Sequence, residues 1–404
     1  MSSTSPETLA PAVPAPARHY GMDWLRIGAF GFLILYHVGL VFSPWGYEVK
    51  SSHPFDWVAL PLLALNAWRL SLLFAISGYA SAALFARERG PGSFARSRLA
   101  RLGIPLLFGM LLWVTPQPWV ALVTQHGYRE GFGHFLRHDY FGFKMIDGIA
   151  MPTWMHLWFV VYLLVYALLM AALLKLPGGV RSAVRRLGER GLAGPGLLVL
   201  PVLYVYAVRQ LPHGWSDTHS LVDDPAAHAV YFAMFLFGWL LRGSEPLRLA
   251  IARQWKLAAV LALLAYAGVA AAELAYPGKT PLPPSLAQPF RFTRAVQCWA
   301  TIVALFGLAD HSWNRDGAWR ATLAEAVFPF YIIHQTIILV VGYLLLGSGV
   351  PAPGEFLILT VTTAGGCWLF YLAGRGIGPL RPLIGLKRRA TAPEQPPTCP
   401  PPTA

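Results

Sequence analysis

Apolar and polar positions alternate along this chain in long blocks, with apolar stretches of about 20 residues between shorter polar segments. A helix of that length crosses a ~30 Å hydrocarbon core, because it rises about 1.5 Å per residue. The pattern contains ten such stretches, at approximately 22–43, 57–85, 102–123, 153–175, 192–209, 226–242, 256–276, 292–309, 321–346 and 355–374. It therefore predicts an all-α fold, a polytopic integral membrane bundle of about ten transmembrane helices.

The composition supports a membrane protein. Of the 404 residues, 55% are hydrophobic and 13% charged, and the mean hydropathy is +0.49. A soluble protein carries about twice that charged fraction. The three cysteines, Cys298, Cys367 and Cys399, lack the spacing of metal ligands and are odd in number. We therefore expect neither a metal site nor a disulfide framework.

The net charge of +13 has a topological explanation. The arginines concentrate in alternate loops, which contain Arg87, Arg89, Arg96, Arg98 and Arg101, then Arg181, Arg185, Arg186 and Arg190, then Arg242, Arg248 and Arg253. By the positive-inside rule these loops and both termini are cytoplasmic. This distribution argues against nucleic acid as a partner. Residues 1–20 are expected to be a disordered cytoplasmic tail and not a signal peptide, and 376–404 a basic and then Pro-rich cytoplasmic tail.

The first apolar stretch contains two ionisable residues on one helical face. Arg26 and His37 are eleven residues apart, which is about 20° past three full turns and a rise of roughly 16 Å. Arg26 is thus expected near one membrane surface and His37 near the midplane, with Asp23 within one turn of Arg26. A mid-membrane ionisable group is costly, which favours a functional role. A histidine hydrogen-bonded between packed helices is the alternative.

Other polar residues are expected at a similar depth. Asn66 and Arg69 lie in the second stretch, with Arg69 roughly 18 Å deep, and His334 lies equally deep in the ninth. We expect His37, Asn66 and Arg69 to share a polar cavity, because such groups avoid lipid. His334, as a second mid-membrane histidine, favours a polar chamber across the centre of the membrane. A purely structural role for Arg69 remains open.

Two further groups have candidate binding roles. Arg98 and Arg101 are three residues apart beside an expected helix start, where guanidinium groups bind phosphate well. Topological charge is the alternative reading. His156 and Trp158 begin the fourth stretch, where an acceptor substrate would arrive. An interfacial aromatic belt explains them equally well.

These segments make the chain similar to the membrane-bound acyltransferase family 3, from about residue 20 to residue 375. The hallmark of that family is an arginine, ten residues and then a histidine in the first span, here Arg26 and His37. The similar segments that follow in order are Ser77-Gly78-Tyr79, Arg98 and Arg101 before Pro105, His156-Leu157-Trp158-Phe159 and Tyr331-Ile332-Ile333-His334-Gln335. Asp23-Trp24-Leu25-Arg26 and Trp68-Arg69-Leu70-Ser71 resemble the branch of periplasmic glucan succinyltransferases more closely.

The resemblance implies that residues 21–375 are an acyltransferase domain of a bacterial inner membrane. It would move a succinyl or acetyl group from cytoplasmic acyl-coenzyme A to a hydroxyl of an envelope or periplasmic glycan, without a tightly bound cofactor. His37 would be the general base, or be transiently acylated, and Arg26 would fix the donor or stabilise charge near the thioester. Arg98 and Arg101 would hold the coenzyme A phosphates. His156, His334 and Arg69 would bind the acceptor or stabilise the oxyanion.

Two other functions remain open at the level of sequence. A transporter or flippase without covalent catalysis also uses about ten spans and buried charge, and it would move its substrate without releasing coenzyme A. A non-catalytic scaffold in envelope polysaccharide assembly would tolerate replacement of Arg26 and His37.

Overall fold

In the computed structural model the chain is described at residues 19–388, apart from 212, 213, 215, 216 and 279. Most of each predicted tail, and Cys399, lie outside these residues. The α-helices are α1 Tyr20–Phe42, α2 Ala59–Asn66, α3 Arg69–Phe85, α4 Pro91–Arg98, α5 Ile104–Phe108, α6 Pro116–Gln125, α7 Phe132–His134, α8 Trp158–Leu173, α9 Gly178–Leu192, α10 Gly196–Val208, α11 Pro225–Gly243, α12 Glu245–Ala275, α13 Pro284–His311, α14 Arg320–Leu345, α15 Ala352–Gly376 and α16 Leu380–Leu383. A small antiparallel hairpin joins β1 Met145–Ile146 to β2 Ile149–Ala150.

The number of helices agrees with the hydropathy pattern. Within the described ranges, 8 helices are long and apolar enough to cross a membrane, or up to 10 if each of two bent pairs is one span. The bent pairs are Pro91–Trp113 with Pro116–Gln125, at 47°, and Gly178–Leu192 with Gly196–Val208, at 104°. The predicted third and fifth spans fall in these pairs. The polar segment between the predicted fourth and fifth spans is the exposed helix α9 and not a loop.

Two of the predicted spans depart from a regular α-helix. The second is interrupted at Ala67 and Trp68, so α2 ends at Asn66 and α3 begins at Arg69. The third begins at Pro91 and passes through π-helical turns at Leu99–Gly103 and Gly109–Trp113. Arg98 and Arg101 therefore lie about two turns inside this helix, and their expected place at a helix start is wrong.

The start and end of the described chain lie at the same end of the bundle, which we call the terminal end. The contacts that define it are His19 with Asp310 at 2.7 Å, Asp23 with Arg320 at 2.6 Å and Glu325 with Arg381 at 3.1 Å. At the opposite end, the loop end, Thr124 donates to the carbonyl of Glu48 at 2.6 Å and Ser51 to Glu355 at 2.5 Å. This arrangement agrees with both termini lying on one side of the membrane; that this side is cytoplasmic stays a prediction.

Helices α3 and α11 pack with their backbones in direct contact. A Cβ atom on Gly78 would lie 1.9 Å from the carbonyl oxygen of Phe235, and one on Gly238 would lie 1.8 Å from that of Ala75. Only glycine permits this approach, which is typical of helix pairs in membranes. The contact brings the aromatic side chains of α3 and α11 together, and Phe74 stacks on Tyr231 with 4.8 Å between ring centroids.

The outer surface of the bundle is apolar over several helices. Large side chains exposed there include Leu107, Leu111, Leu112, Leu263, Leu264, Leu344, Leu357 and Leu369. Soluble proteins rarely expose apolar patches of this extent. The polar side chains are instead collected inside the bundle, as a surface in contact with lipid requires.

Candidate active site

A polar cavity of about 1400 Å³ lies inside the bundle toward the loop end. Its walls are formed by α1, α3, α8, α11, α13 and α14, and the segments 45–50, 145–156 and 217–223 cover it. Five predicted residues line the cavity directly: His37, Asn66, Arg69, His156 and Trp158. His334 lies behind His37 and does not line the cavity. The structure thus brings His37, Asn66 and Arg69 to one cavity, and their roles there stay predictions.

His37 is held by His334 in a defined orientation. The two rings meet through His37 Nδ1 and His334 Nε2, which are 3.2 Å apart. The other nitrogen of His334, Nδ1, lies 2.8 Å from the carbonyl oxygen of Tyr331 and must donate, because a carbonyl only accepts. In neutral rings His334 Nε2 is therefore the acceptor and His37 Nδ1 the donor. This leaves Nε2 of His37 as a lone pair on a side chain that lines the cavity.

His156 has a different environment, because protein groups engage both of its ring nitrogens. Nδ1 lies 3.1 Å from the side-chain oxygen of Gln117, and Nε2 lies 3.1 Å from the carbonyl oxygen of Tyr331. The Tyr331 hydroxyl donates in return to the carbonyl of His156. Gln117 is oriented by its donation to Thr336 at 2.7 Å. His156 thus fastens the start of α8 to α14 and is positioned as a structural support, with no ring nitrogen left for a substrate.

Arg69 lies flat against Tyr36. Its guanidinium carbon is 3.3 Å from the ring centroid, and Asn66 donates to the Tyr36 hydroxyl at 3.0 Å. The residue is only 7% exposed. A cation–π contact is worth about 2 kcal/mol when desolvated, whereas burying a charge costs several kcal/mol. The aromatic contact therefore orients Arg69 but does not by itself offset its burial.

The hydropathy pattern did not single out two arginines that line the cavity, Arg209 and Arg294. The eighth predicted span starts at 292, but α13 begins eight residues earlier, at Pro284, and carries Arg294 into the wall. Arg209 pairs with Asp217 at 2.7 Å at the mouth. Burial opposes ionisation of Asp217, but Arg209 and the Tyr231 hydroxyl outweigh it and hold the pKa of Asp217 below its ordinary value. The available signal of this earlier start was Pro284, because proline fits the first turn of a helix.

Aromatic rings line the way from the loop end to His37. Trp158 stacks on His219, with centroids 4.4 Å apart and an angle of 18° between planes. Tyr47 stacks against His37 at 6.4 Å. Burial lowers the pKa of His219 and raises that of Glu48, two loop residues that line the cavity. The entrance therefore offers flat aromatic faces beside polar groups, which suits a hydroxyl-rich ligand.

Arg26 and the Arg98/Arg101 pair lie outside this cavity. Arg26 donates to the carbonyl of Ala324 at 2.8 Å at the terminal end. Asp23 lies 3.9 Å from Arg26, but its closer partner is Arg320 at 2.6 Å. The Arg26 side chain is thus roughly 16 Å from the level of His37, as the helical rise predicts.

The predicted phosphate ligands are separated from the rest. Arg98 donates to the Ser81 hydroxyl at 2.6 Å, near the end of α3, while Arg101 is exposed. The structure brings neither of them to His37. Among the described residues, no group of three or more His, Cys, Asp or Glu side chains is placed to hold a metal ion.

Comparison with known proteins gives this arrangement a context. A family model described as an acyltransferase domain matches residues 19–372. Glucans biosynthesis protein C from Escherichia coli O6:K15:H31 (strain 536 / UPEC) is 30% identical over 148 residues, and the protein of the same name from Escherichia coli O1:K1 / APEC is equally similar. The matched segment is 36% of this chain and 37% of the length of these curated relatives. No solved structure matches.

Proposed function

Because the chain belongs to the acyltransferase 3 family and is therefore a multi-pass membrane O-acyltransferase, we propose that it transfers an acyl group from acyl-coenzyme A to a glycan hydroxyl. The observation that carries this proposal is the orientation of His37, whose Nδ1 is engaged by His334 while Nε2 remains available in the cavity. Family membership favours covalent transfer over transport alone. The name of the relatives supports a glucan or a related envelope glycan as acceptor. The membrane-spanning helices and the bacterial source of the relatives support a bacterial inner membrane as the location.

In the proposed reaction His37 Nε2 removes the proton of the acceptor hydroxyl as its oxygen attacks the thioester carbonyl. The C–O bond forms, the C–S bond breaks, and the coenzyme A thiolate leaves with the proton that His37 received. A positioned general base contributes about 10²- to 10⁴-fold to such a step. Transient acylation of His37 Nε2 would use the same lone pair and deliver the same product.

The two substrates are proposed to approach from opposite ends of the bundle. The donor would bind at the terminal end, where Arg26, Arg98 and Arg101 supply positive charge for the coenzyme A phosphates. Its thioester arm would then have to cover roughly the 16 Å that separate Arg26 from His37. The acceptor would enter at the loop end, between Trp158 and Tyr47. A succinyl or an acetyl group is compatible with this arrangement.

Replacing the base tests the proposal. In His37→Asn the amide nitrogen still donates toward His334, but no lone pair of imidazole basicity remains. We expect acyl transfer by the purified protein in proteoliposomes to fall by at least about 10²-fold. The assay follows both coenzyme A release and the mass added to a supplied glucan, which identifies the acyl group.

The matched control is His228→Asn. His228 is also held between membrane helices, 2.9 Å from the Tyr166 hydroxyl, but it does not line the cavity. This variant should retain transfer. Full activity of His37→Asn would refute the assignment of His37, and movement of a glycan precursor without coenzyme A release would refute acyl transfer itself.

A further inference from the structure

Two guanidinium groups in the polar cavity have no carboxylate partner among the described residues. Nε and Nη1 of Arg69 are buried without an acceptor, and so is Nη1 of Arg294. Carboxylates do line the same cavity, on Glu48, Asp217 and Asp223, but none of them pairs with either arginine. The cavity therefore contains positive charge that the described protein groups leave unneutralised.

Three other arginines that are largely withdrawn from solvent form ion pairs, Arg320 with Asp23 at 2.6 Å, Arg209 with Asp217 at 2.7 Å and Arg381 with Glu325 at 3.1 Å. Arg98, whose Nε also lacks a partner, lies outside the cavity and donates to the Ser81 hydroxyl. An isolated buried charge is strongly unfavourable, and it becomes favourable when a hydrogen-bonded ion of opposite sign completes it. An anion in the cavity would give Arg69 and Arg294 the counter-ion that Arg320, Arg209 and Arg381 receive from carboxylates of the protein.

The geometry around Arg69 is suited to such an anion. The Tyr36 ring covers one face of the guanidinium at 3.3 Å and leaves its edge, with the N–H donors, for a ligand. Arg69 and Arg294 are close enough for their charges to interact, as are Arg69 and His37.

We propose that Arg69 and Arg294 form an anion subsite beside His37, which binds a carboxylate or phosphate group carried by one of the two substrates. The anion is either the free acid at the far end of the transferred acyl group or a charged substituent of the acceptor. The inference rests on the proposed function, because it assumes that acyl transfer occurs at His37. It makes the two arginines the determinants of which substrate is accepted.

Kinetics with matched donors test the subsite in the full chain. Succinyl-coenzyme A carries a terminal carboxylate, and butyryl-coenzyme A has the same chain length without it. If the acyl group carries the anion, Arg69→Met and Arg294→Met should each lower kcat/KM for succinyl transfer by about 10- to 100-fold, which is the usual effect of losing a charged hydrogen bond. The kcat/KM for butyryl transfer should stay within about threefold of the wild-type value. Arg291→Met, three residues before Arg294 and outside the cavity lining, should change neither.

If the acceptor carries the anion, both donors behave alike, and the same variants raise KM for an anionic glucan by a similar factor but not for a neutral one. Either result supports the subsite and identifies the source of the charge. An equal loss of kcat with both donors and both acceptors would instead mean that Arg69 stabilises only the oxyanion, which overturns the proposal.

Binding without turnover separates this inference from the proposed function. The apparent Kd of succinate and of inorganic phosphate for the wild-type protein is obtained from ligand-dependent thermal shifts. It should rise at least about tenfold in each arginine variant and stay unchanged in Arg291→Met. A wild-type protein that transfers acyl groups but shows no arginine-dependent binding or selectivity overturns the subsite alone. One that binds both anions but transfers nothing overturns the proposed function alone.

Discussion

The hydrogen bond between His334 and His37 can be broken or kept by two nearly isosteric substitutions. In His334→Asn the amide nitrogen takes the place of Nδ1 and still donates to the Tyr331 carbonyl, but no atom reaches the place of Nε2. In His334→Gln the longer side chain carries its oxygen toward the place of Nε2 and can accept from His37. Only the first variant removes the acceptor that fixes the His37 tautomer.

The magnitude follows from the contact itself. At 3.2 Å the bond between the two rings is an ordinary neutral hydrogen bond, which contributes about 0.5–1.5 kcal/mol net. His37 lines the cavity and is only partly buried, so its Nδ1 donor is not sealed from water when the His334 acceptor is removed. At 1.4 kcal/mol per factor of ten, we expect kcat of His334→Asn to fall by about 2- to 10-fold.

The assay is acyl transfer at saturating donor and acceptor, with kcat and KM determined separately. His334 does not line the cavity and reaches the substrate only through His37. A positioning role therefore lowers kcat with little change in KM, and His334→Gln should retain most of the activity. Equal losses in the two variants, in step with loss of folded protein, would show that His334 only packs. Full activity of a folded His334→Asn would refute our description of the His37 orientation.

Two further predictions concern stability. Gly78→Ala forces a Cβ atom to within 1.9 Å of the Phe235 carbonyl oxygen and should lower the unfolding free energy by at least about 2 kcal/mol. In the control Gly31→Ala the new Cβ atom meets nothing within 4 Å, so the Tm of the detergent-solubilised protein should not change. Similar Tm values for the two variants would refute the direct backbone contact. Asp217→Asn should lower Tm at neutral pH. Because the pKa of Asp217 is depressed in the folded protein, its ion pair stabilises the fold fully above the ordinary pKa of 3.8 and is lost as the pH falls through the depressed value. The difference in Tm between the wild-type protein and Asp217→Asn should therefore close only below about pH 4.

Much of this protein is determined by short-range information in the sequence. Apolar blocks of membrane-crossing length give the number and limits of most helices, because each span must satisfy its own backbone hydrogen bonds in lipid. Helical periodicity gives the separation of Arg26 and His37, since both lie on one continuous helix. The cost of polar groups in lipid predicts that His37, Asn66 and Arg69 share an interior cavity.

Tertiary structure alone decides which atoms of these residues meet. His37 and His334 are 297 residues apart, and periodicity defines the face of each helix but not the helix that packs against it. For the same reason the sequence does not reveal the hydrogen bonds between His156 and Tyr331, which leave His156 engaged while His37 stays available to a substrate. Nor does the apolar pattern show that α13 begins early enough to place Arg294 in the cavity, or that the second span is interrupted before Arg69. The sequence thus determined which polar and ionisable side chains lie inside the membrane bundle, because such groups are costly in lipid. Only the packing of helices distant in sequence decided which of these side chains bind each other and which remain available to a substrate.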